Sequence, residues 1–208
     1  LDNSLEQDMR VTGVSPQSFN ESYKHYNYEV FDNIPFSTKR NIAENNYSDF
    51  FVAGKFLDDA ETKVEVIVYE TNTGKEVANK VIQSDNIIQL TQKVSDFVDA
   101  QIKLSPVEGM ETTVKLPTSN LITADTAAFH QYIDAIVTIE KDMTKGNIAL
   151  VQLENSVAID PTCAECHMTL ANLKLMTGQE TRGSMKEAMK YVENVSERQQ
   201  LQLKYLNY

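Results

Sequence analysis

Between residues 63 and 82 the chain alternates, turns and alternates again, and that pattern excludes most other local structures. Val64, Val66 and Val68 fall on one side, with Glu65, Ile67 and Tyr69 on the other, which is the two-residue period of a half-buried strand. Asn72-Thr73-Gly74 supplies a tight turn and residues 76–82 return, so the stretch predicts an antiparallel hairpin. Residues 49–56, rich in Phe and Val, predict a further strand. A two-stranded ribbon alone is marginal in water, so something must cover it. The next segment can do so. Behind Asp85, the expected N-cap, Ile87, Leu90, Val94, Phe97, Val98 and Ile102 recur at the spacing of one buried helical face.

Upstream the signals are shorter. Residues 5–9 suit a helix, and Met9 to Val14 then alternates like a short strand before Ser15-Pro16 ends it. Residues 18–33 hold Phe19, Tyr23, Tyr26, Tyr28 and Phe31 among polar neighbours without a clear period. Ile34-Pro35-Phe36-Ser37 reads as a helix entry, with Ser37 as N-cap for residues 38–45.

Beyond residue 104 the pattern changes for good. Residues 105–118 contain two prolines, Gly109 and no apolar period, the composition of a linker. After it the period is helical throughout. Asp125 caps a helix with Ala128, Phe129, Tyr132, Ile133 and Ile136 on one face, and further helices are predicted over about 145–159, 162–176 and 183–192. Ser196-Glu197-Arg198-Gln199 is a capping box opening a fifth. The fold class is therefore α+β, with a small mixed α/β domain over 1–104, a linker over 105–118 and an all-α array of helical hairpins over 119–208. In the last helix Leu201, Tyr205 and Tyr208 form one stripe and Leu203 and Leu206 nearly the opposite one. Two stripes predict burial on both sides, and hence further helices beyond Tyr208.

Composition narrows the partners. At 208 residues the chain suits one large domain or two small ones, and 41% hydrophobic with 24% charged residues is ordinary for a folded globular chain. A formal net charge of −11 argues against nucleic acid, whose binding draws on clustered Lys and Arg. Apolar runs such as Ile67-Val68-Tyr69 and Ala135-Ile136-Val137 fall far short of the roughly 18 residues of a membrane span, so no membrane insertion is expected. The chain opens on Leu1 without a basic-then-apolar leader, and the reading expects an upstream segment to have been removed. Two cysteines are too few for a disulfide scaffold and do not fix the compartment.

The second half resembles tetratricopeptide repeats. Ala149, Leu153, Ser156 and Asp160-Pro161 stand at the family's spacing of small crossing residues, bulky spacer and repeat-starting proline. Ala164 through Gly178 follows the next repeat's first helix, with Ala171 at its small crossing position. A wider resemblance covers most of the chain. Phe51-Val52-Ala53-Gly54 and Tyr69-Glu70-Thr71-Asn72-Thr73-Gly74-Lys75 are similar to the core of the TolB-like N-terminal domain, which precedes such repeats in bacterial signalling proteins. Leu5-Glu6-Gln7-Asp8, Leu116-Pro117-Thr118-Ser119 and Ser196-Glu197-Arg198 resemble the joints of the version found downstream of serine/threonine kinase domains. Related regions follow adenylate cyclase domains and the winged-helix domains of CadC-type regulators. The family's opening strand is missing, because the chain begins after it.

The sharpest chemical motif is Cys163-Ala164-Glu165-Cys166-His167, the C-x-x-C-H signature of covalent haem attachment, and the same pair suits a zinc or thiol-redox role. The repeat register accounts for these residues without a cofactor: Cys163 and His167 fall on common aromatic positions and Cys166 on a common alanine one. That reading is preferred, with no cofactor and no metal; a disulfide across the three-residue spacing is allowed but not required. His25 and His130 are isolated in sequence. Gly74-Lys75 lacks the glycine and hydroxyl partners of a phosphate loop, since Tyr69 and Glu76 stand there. Asp58, Asp59 and Glu61 form an acidic cluster between two strands, of the kind that solvated turns carry.

The expectation is a non-catalytic interaction or sensor region of a larger bacterial signalling protein, with a serine/threonine kinase as the first parent considered. The alternatives are the periplasmic sensor region of a CadC-type regulator or, using Cys163, Cys166 and His167, a haem or thiol-redox protein. The compartment stays open between the cytoplasm and the periplasmic side of an inner-membrane protein. A protein or peptide ligand is expected in a groove of first-helix positions, His130, Asp134, His167 and Asn172, and the reading leaves a homodimer open.

Overall fold

The computed structural model of the chain describes residues 5–8, 10–13, 19–28, 33–58, 62–102 and 115–206. They form two compact units, one holding the described residues between 19 and 102, the other holding 5–8, 10–13 and 115–206.

The first unit contains helices α1 (Asn20–His25) and α2 (Phe36–Asn45), strands β1 (Phe50–Phe56), β2 (Lys63–Glu70) and β3 (Glu76–Gln83), and helix α3 (Ile87–Gln101). The strands form an antiparallel sheet in the order β1-β2-β3. Val52, Gly54 and Phe56 oppose Val68, Val66 and Val64, and Val64 in turn opposes Ile82. Residues directly opposite share a face, and on that face Val64, Val66, Val68 and Ile82 are buried. Helix α3 packs on β3 and β2, so the expected hairpin and its covering helix are both present. A bulge at Val68/Tyr69 leaves Val77 without a partner in the register, since Val68 pairs with Ala78 and Tyr69 with Glu76.

Three local expectations need correction. Asn86, not Asp85, caps α3, its side chain accepting from Gln89 N–H at 2.9 Å. The buried residues of that helix are Ile88, Leu90, Ser95 and Val98, so Ile88 replaces Ile87. Helix α2 begins at Phe36 behind Pro35, with no side-chain cap from Ser37; proline's fixed φ presets the entry. Phe36 instead joins an aromatic cluster, its ring 4.9 Å from Tyr69 and 5.8 Å from Phe51. One turn on, the Arg40 guanidinium donates to Thr71 O at 3.0 Å and Asn72 O at 2.6 Å, which fastens α2 to the β2–β3 turn. That turn closes on Gly74, whose φ of +67° suits a residue without Cβ.

The second unit is helical: α4 (Thr118–Leu121), α5 (Thr126–Lys141), α6 (Gly146–Ile159), α7 (Ala164–Met176), α8 (Arg182–Lys190) and α9 (Glu197–Leu206). From α5 onward each helix packs on the next. Asp125 caps α5 as expected, accepting from Ala127 and Ala128 N–H. Ser196 and Gln199 exchange both bonds of a capping box at α9. The small and bulky residues read from sequence sit where helices meet: Ala149, Leu153, Ser156 and Ala171 are all buried. On α5 the buried set is Ala128, Phe129, Tyr132 and Ala135, whereas Ile133 is exposed. In α9 Leu203 is buried and Leu201 exposed; Tyr205, Leu206 and Tyr208 are not among the described side chains.

The start of the chain departs from its predicted placement in 1–104. Residues 5–8 and 10–13 belong with the helices, and polar side chains explain why. Gln7 exchanges two hydrogen bonds with the backbone of Leu116, at 2.9 and 2.6 Å. Arg198 bonds Val11 O at 3.0 Å and pairs with Glu6 at 3.2 Å. The strand expected over Met9 to Val14 is absent from residues 10–13. Asp8 takes the Arg10 N–H and Glu6 takes the Gly13 N–H, which uses up donors that a strand ladder needs. Met9 and Val14, like residues 59–61 and 103–114, lie outside the described residues.

Candidate functional site

The C-x-x-C-H motif lies at the corner between α6 and α7. Asp160 organises that corner: its carboxylate accepts from Thr162 N–H at 3.0 Å, Thr162 Oγ1 at 2.7 Å and Thr123 Oγ1 at 2.5 Å. Burial opposes its ionisation, but the bonds from Thr123 and Thr162, with nearby His167, hold the carboxyl below the usual carboxylate range. Cys163 is the N-cap of α7, its sulfur accepting from Cys166 N–H at 3.1 Å. Cys163 and Cys166 are joined in a disulfide, with Cα atoms 5.3 Å apart.

His167 follows and is largely buried, at 8% exposure. Its Nε2 lies 3.0 Å from Pro161 O. A carbonyl only accepts, so Nε2 carries the proton, and in the neutral ring Nδ1 is then an acceptor. Among the described residues Nδ1 has no hydrogen-bond partner. The one fully enclosed side-chain polar atom without a partner there is Thr71 Oγ1, so Nδ1 reaches solvent.

That solvent fills an open cleft of about 420 Å³ between α6, α7 and α8. Val157 and Leu170 contribute apolar wall and His167 also lines the cleft, while Glu154, Glu180 and Glu187 supply carboxylates and Lys174 one cation. Two carboxylates have internal partners: Glu154 pairs with Lys174 at 3.3 Å and Glu187 with Lys190 at 2.7 Å. The Lys190 hydrogen bond, with His167 and Lys186 adding, keeps the Glu187 carboxyl below its usual range. Glu180 accepts from Arg182 N–H at 2.6 Å. The lining thus carries three carboxylates and one lysine beside the His167 ring, an acidic excess that suits a ligand donating hydrogen bonds from a positive group.

A larger cleft, about 530 Å³, lies between β3 and α3. Its polar groups serve the fold: Lys93 Nζ donates to Gln83 O at 2.9 Å and Lys80 lies 5.7 Å from the Phe97 ring centroid.

The other residues singled out from sequence stand apart from the α6–α8 cleft lining. His130 and Asp134 are exposed, one turn apart on α5, and Asn172 is exposed on α7. His25 ends α1, its ring edge-on to Tyr26. Asp58 closes the β1–β2 turn, accepting from Thr62 N–H, Thr62 Oγ1 and Lys63 N–H; Asp59 and Glu61 are outside the described residues. Among the described residues no group of three His, Cys, Asp or Glu side chains is placed to hold a metal, and no helix is long and apolar enough to cross a membrane. Sequence reasoning missed Glu154, Lys174, Glu180 and Glu187, which come from three helices and the α7–α8 loop. It also missed the buried carboxylate of Glu165, which accepts from Tyr132 Oη at 3.0 Å and Gln199 Nε2 at 2.6 Å and so ties α5, α7 and α9 together.

No protein-family model, curated protein or solved structure matches this chain.

Proposed function

We propose that this chain is a non-catalytic interaction or sensor region of a larger bacterial signalling protein, with a serine/threonine kinase as parent. In this reading the helical unit holds a cationic side chain of a peptide or protein partner in the α6–α7–α8 cleft. The observation that carries it is the charge balance of the cleft, whose lining holds three carboxylates and one lysine beside the His167 ring, with Lys190 pairing Glu187. A lysine or arginine side chain matches that balance, because its aliphatic stem covers Val157 and Leu170 while its head donates. Uncovered apolar residues nearby extend the surface available to the rest of a partner. Gly146 at the start of α6 faces Thr177 and Leu173 at the end of α7, so Ile148, Val151, Leu175 and Met176, all exposed, lie at one end of the same hairpin. The resemblance to TolB-like and tetratricopeptide regions, carried by the sequence motifs, supplies the signalling context.

The test is a nuclear magnetic resonance titration with n-butylammonium, with butyrate and butanol as controls of similar size. The expected result is saturable shifts of the Leu170, Lys174, Ser184 and Glu187 amides with the ammonium alone. Glu180→Gln and Glu187→Gln should each weaken binding by up to about fivefold, the scale of an exposed ion pair. Equal shifts with butanol, or none with the ammonium, would remove the basis for the reading.

A further inference from the structure

We infer that Cys163 and Cys166 are a thiol–disulfide exchange pair, opened by a dithiol reductant and closed again by a disulfide oxidant, and not a permanent staple. Three features of the corner point to this.

The bridge spans two intervening residues. The unfolded-chain entropy that a disulfide removes grows with the loop it closes, so this bridge is among the least stabilising by that route. The corner is already held by the Asp160 hydrogen bonds and by α7 itself.

Groups able to serve the reduced form already stand beside the two sulfurs of the disulfide. Cys163 Sγ accepts from Cys166 N–H at the first turn of α7, where the helix dipole favours a thiolate. Ser156 Oγ lies 2.9 Å from Ala128 O and 3.3 Å from Cys166 Sγ. The carbonyl can only accept, so it takes the hydroxyl proton and leaves Oγ free to accept from a Cys166 thiol. Neither sulfur would be stranded in the buried site. A disulfide whose reduced form is well accommodated is the more readily reduced one.

Access is the third feature. Both cysteines are buried, but Pro161 and Thr162 directly before them are exposed, so local opening of this turn uncovers Cys163 without unfolding the helices. A reductant thiolate then attacks Cys163 Sγ. The Cys163–Cys166 bond breaks, and Cys166 leaves with the electron pair and takes up a proton beside Ser156. The reductant's second thiolate attacks its own sulfur in the mixed disulfide and releases Cys163 as the second thiol. The reductant ends as a disulfide, and the protein gains two electrons and two protons.

The experiment treats the native chain with dithiothreitol, quenches with N-ethylmaleimide and reads mass and far-ultraviolet circular dichroism together. The expected result is a gain of two maleimide adducts per chain with the helical signal retained, reversed by oxidised glutathione added before the quench. A Cys166→Ser variant should accumulate a mixed disulfide with glutathione at Cys163. Adducts that form only as the helical signal is lost, or no adducts at any dithiol concentration without denaturant, would overturn the inference and make the bridge structural. The thiol count does not depend on the butylammonium titration, so the two readings can fail separately.

Discussion

Replacing Tyr132 by Phe tests whether the buried carboxylate of Glu165 organises the helical unit. Tyr132 on α5 and Gln199 on α9 each donate to Glu165 on α7, at 3.0 and 2.6 Å, and all three residues are buried. Phe keeps the ring and its packing, so the change removes a donor and leaves almost no cavity. Thr169 Oγ1, 3.5 Å from Glu165 Oε1, is too distant to replace it fully. A net hydrogen bond contributes about 0.5–1.5 kcal/mol, and removing one partner of a buried polar group costs about 1–3 kcal/mol. Gln199→Leu should cost more. It removes the donor to Glu165 and also the acceptor for Ser196 N–H and Oγ at 3.0 and 2.8 Å, which is half of the α9 capping box. Urea unfolding followed by circular dichroism gives the stability of each variant, with an unchanged denaturant slope showing that only stability has moved. In a double-mutant cycle, Tyr132→Phe and Glu165→Gln should couple by about 1–2 kcal/mol, as contacting residues do. A Tyr132→Phe change within about 0.5 kcal/mol of wild type, or strict additivity with Glu165→Gln, would refute the network as a stabilising element.

Two further predictions concern other parts of the chain. Gly74→Ala should destabilise the sheet unit by about 1–2 kcal/mol, because the residue sits at positive φ and the new Cβ would lie 3.0 Å from Arg40 Nη1; amide hydrogen exchange across β2 and β3 reads the loss, and unchanged protection would contradict it. Asp8 should titrate near pH 2 by carboxyl-carbon resonance, because the Arg10 side-chain hydrogen bond holds its pKa at about 2, well below the ordinary aspartate range. A depressed carboxylate contributes stability that is present above the unfolded value and lost as pH falls through the folded one, so the contribution should fade between about pH 4 and pH 2. Arg10→Gln should return the midpoint toward the ordinary range.

What could be read from sequence follows the range of the interaction involved. The β2–β3 hairpin was legible because Val64, Val66 and Val68 need only a period of two to declare a buried face, and Gly74 marks the turn by itself. The α9 capping box was legible because its two partners are three residues apart. Errors arose where competing local chemistry differed by one position: Asp85 and Asn86 are both good caps, and only the backbone decides which one is extended at the helix start. The strand read into Met9 to Val14 failed for a longer-range reason. Arg198, far along the chain, takes Glu6 and the Val11 carbonyl, and no periodicity near residue 10 could announce that. The cleft is a stronger case of the same limit. Glu154 and Lys174 are twenty positions apart and meet because α6 and α7 run side by side, while Glu180 and Glu187 arrive from beyond the next turn. Each looks like an ordinary surface charge until the helices are stacked. His167 was visible in a motif that the repeat register read as packing; what the sequence could not show is the Pro161 carbonyl beside its Nε2 and the disulfide between the neighbouring cysteines. In sequence, C-x-x-C-H fixes only a spacing. The chemistry open to it depends on what caps the helix, and here the first cysteine is itself the cap.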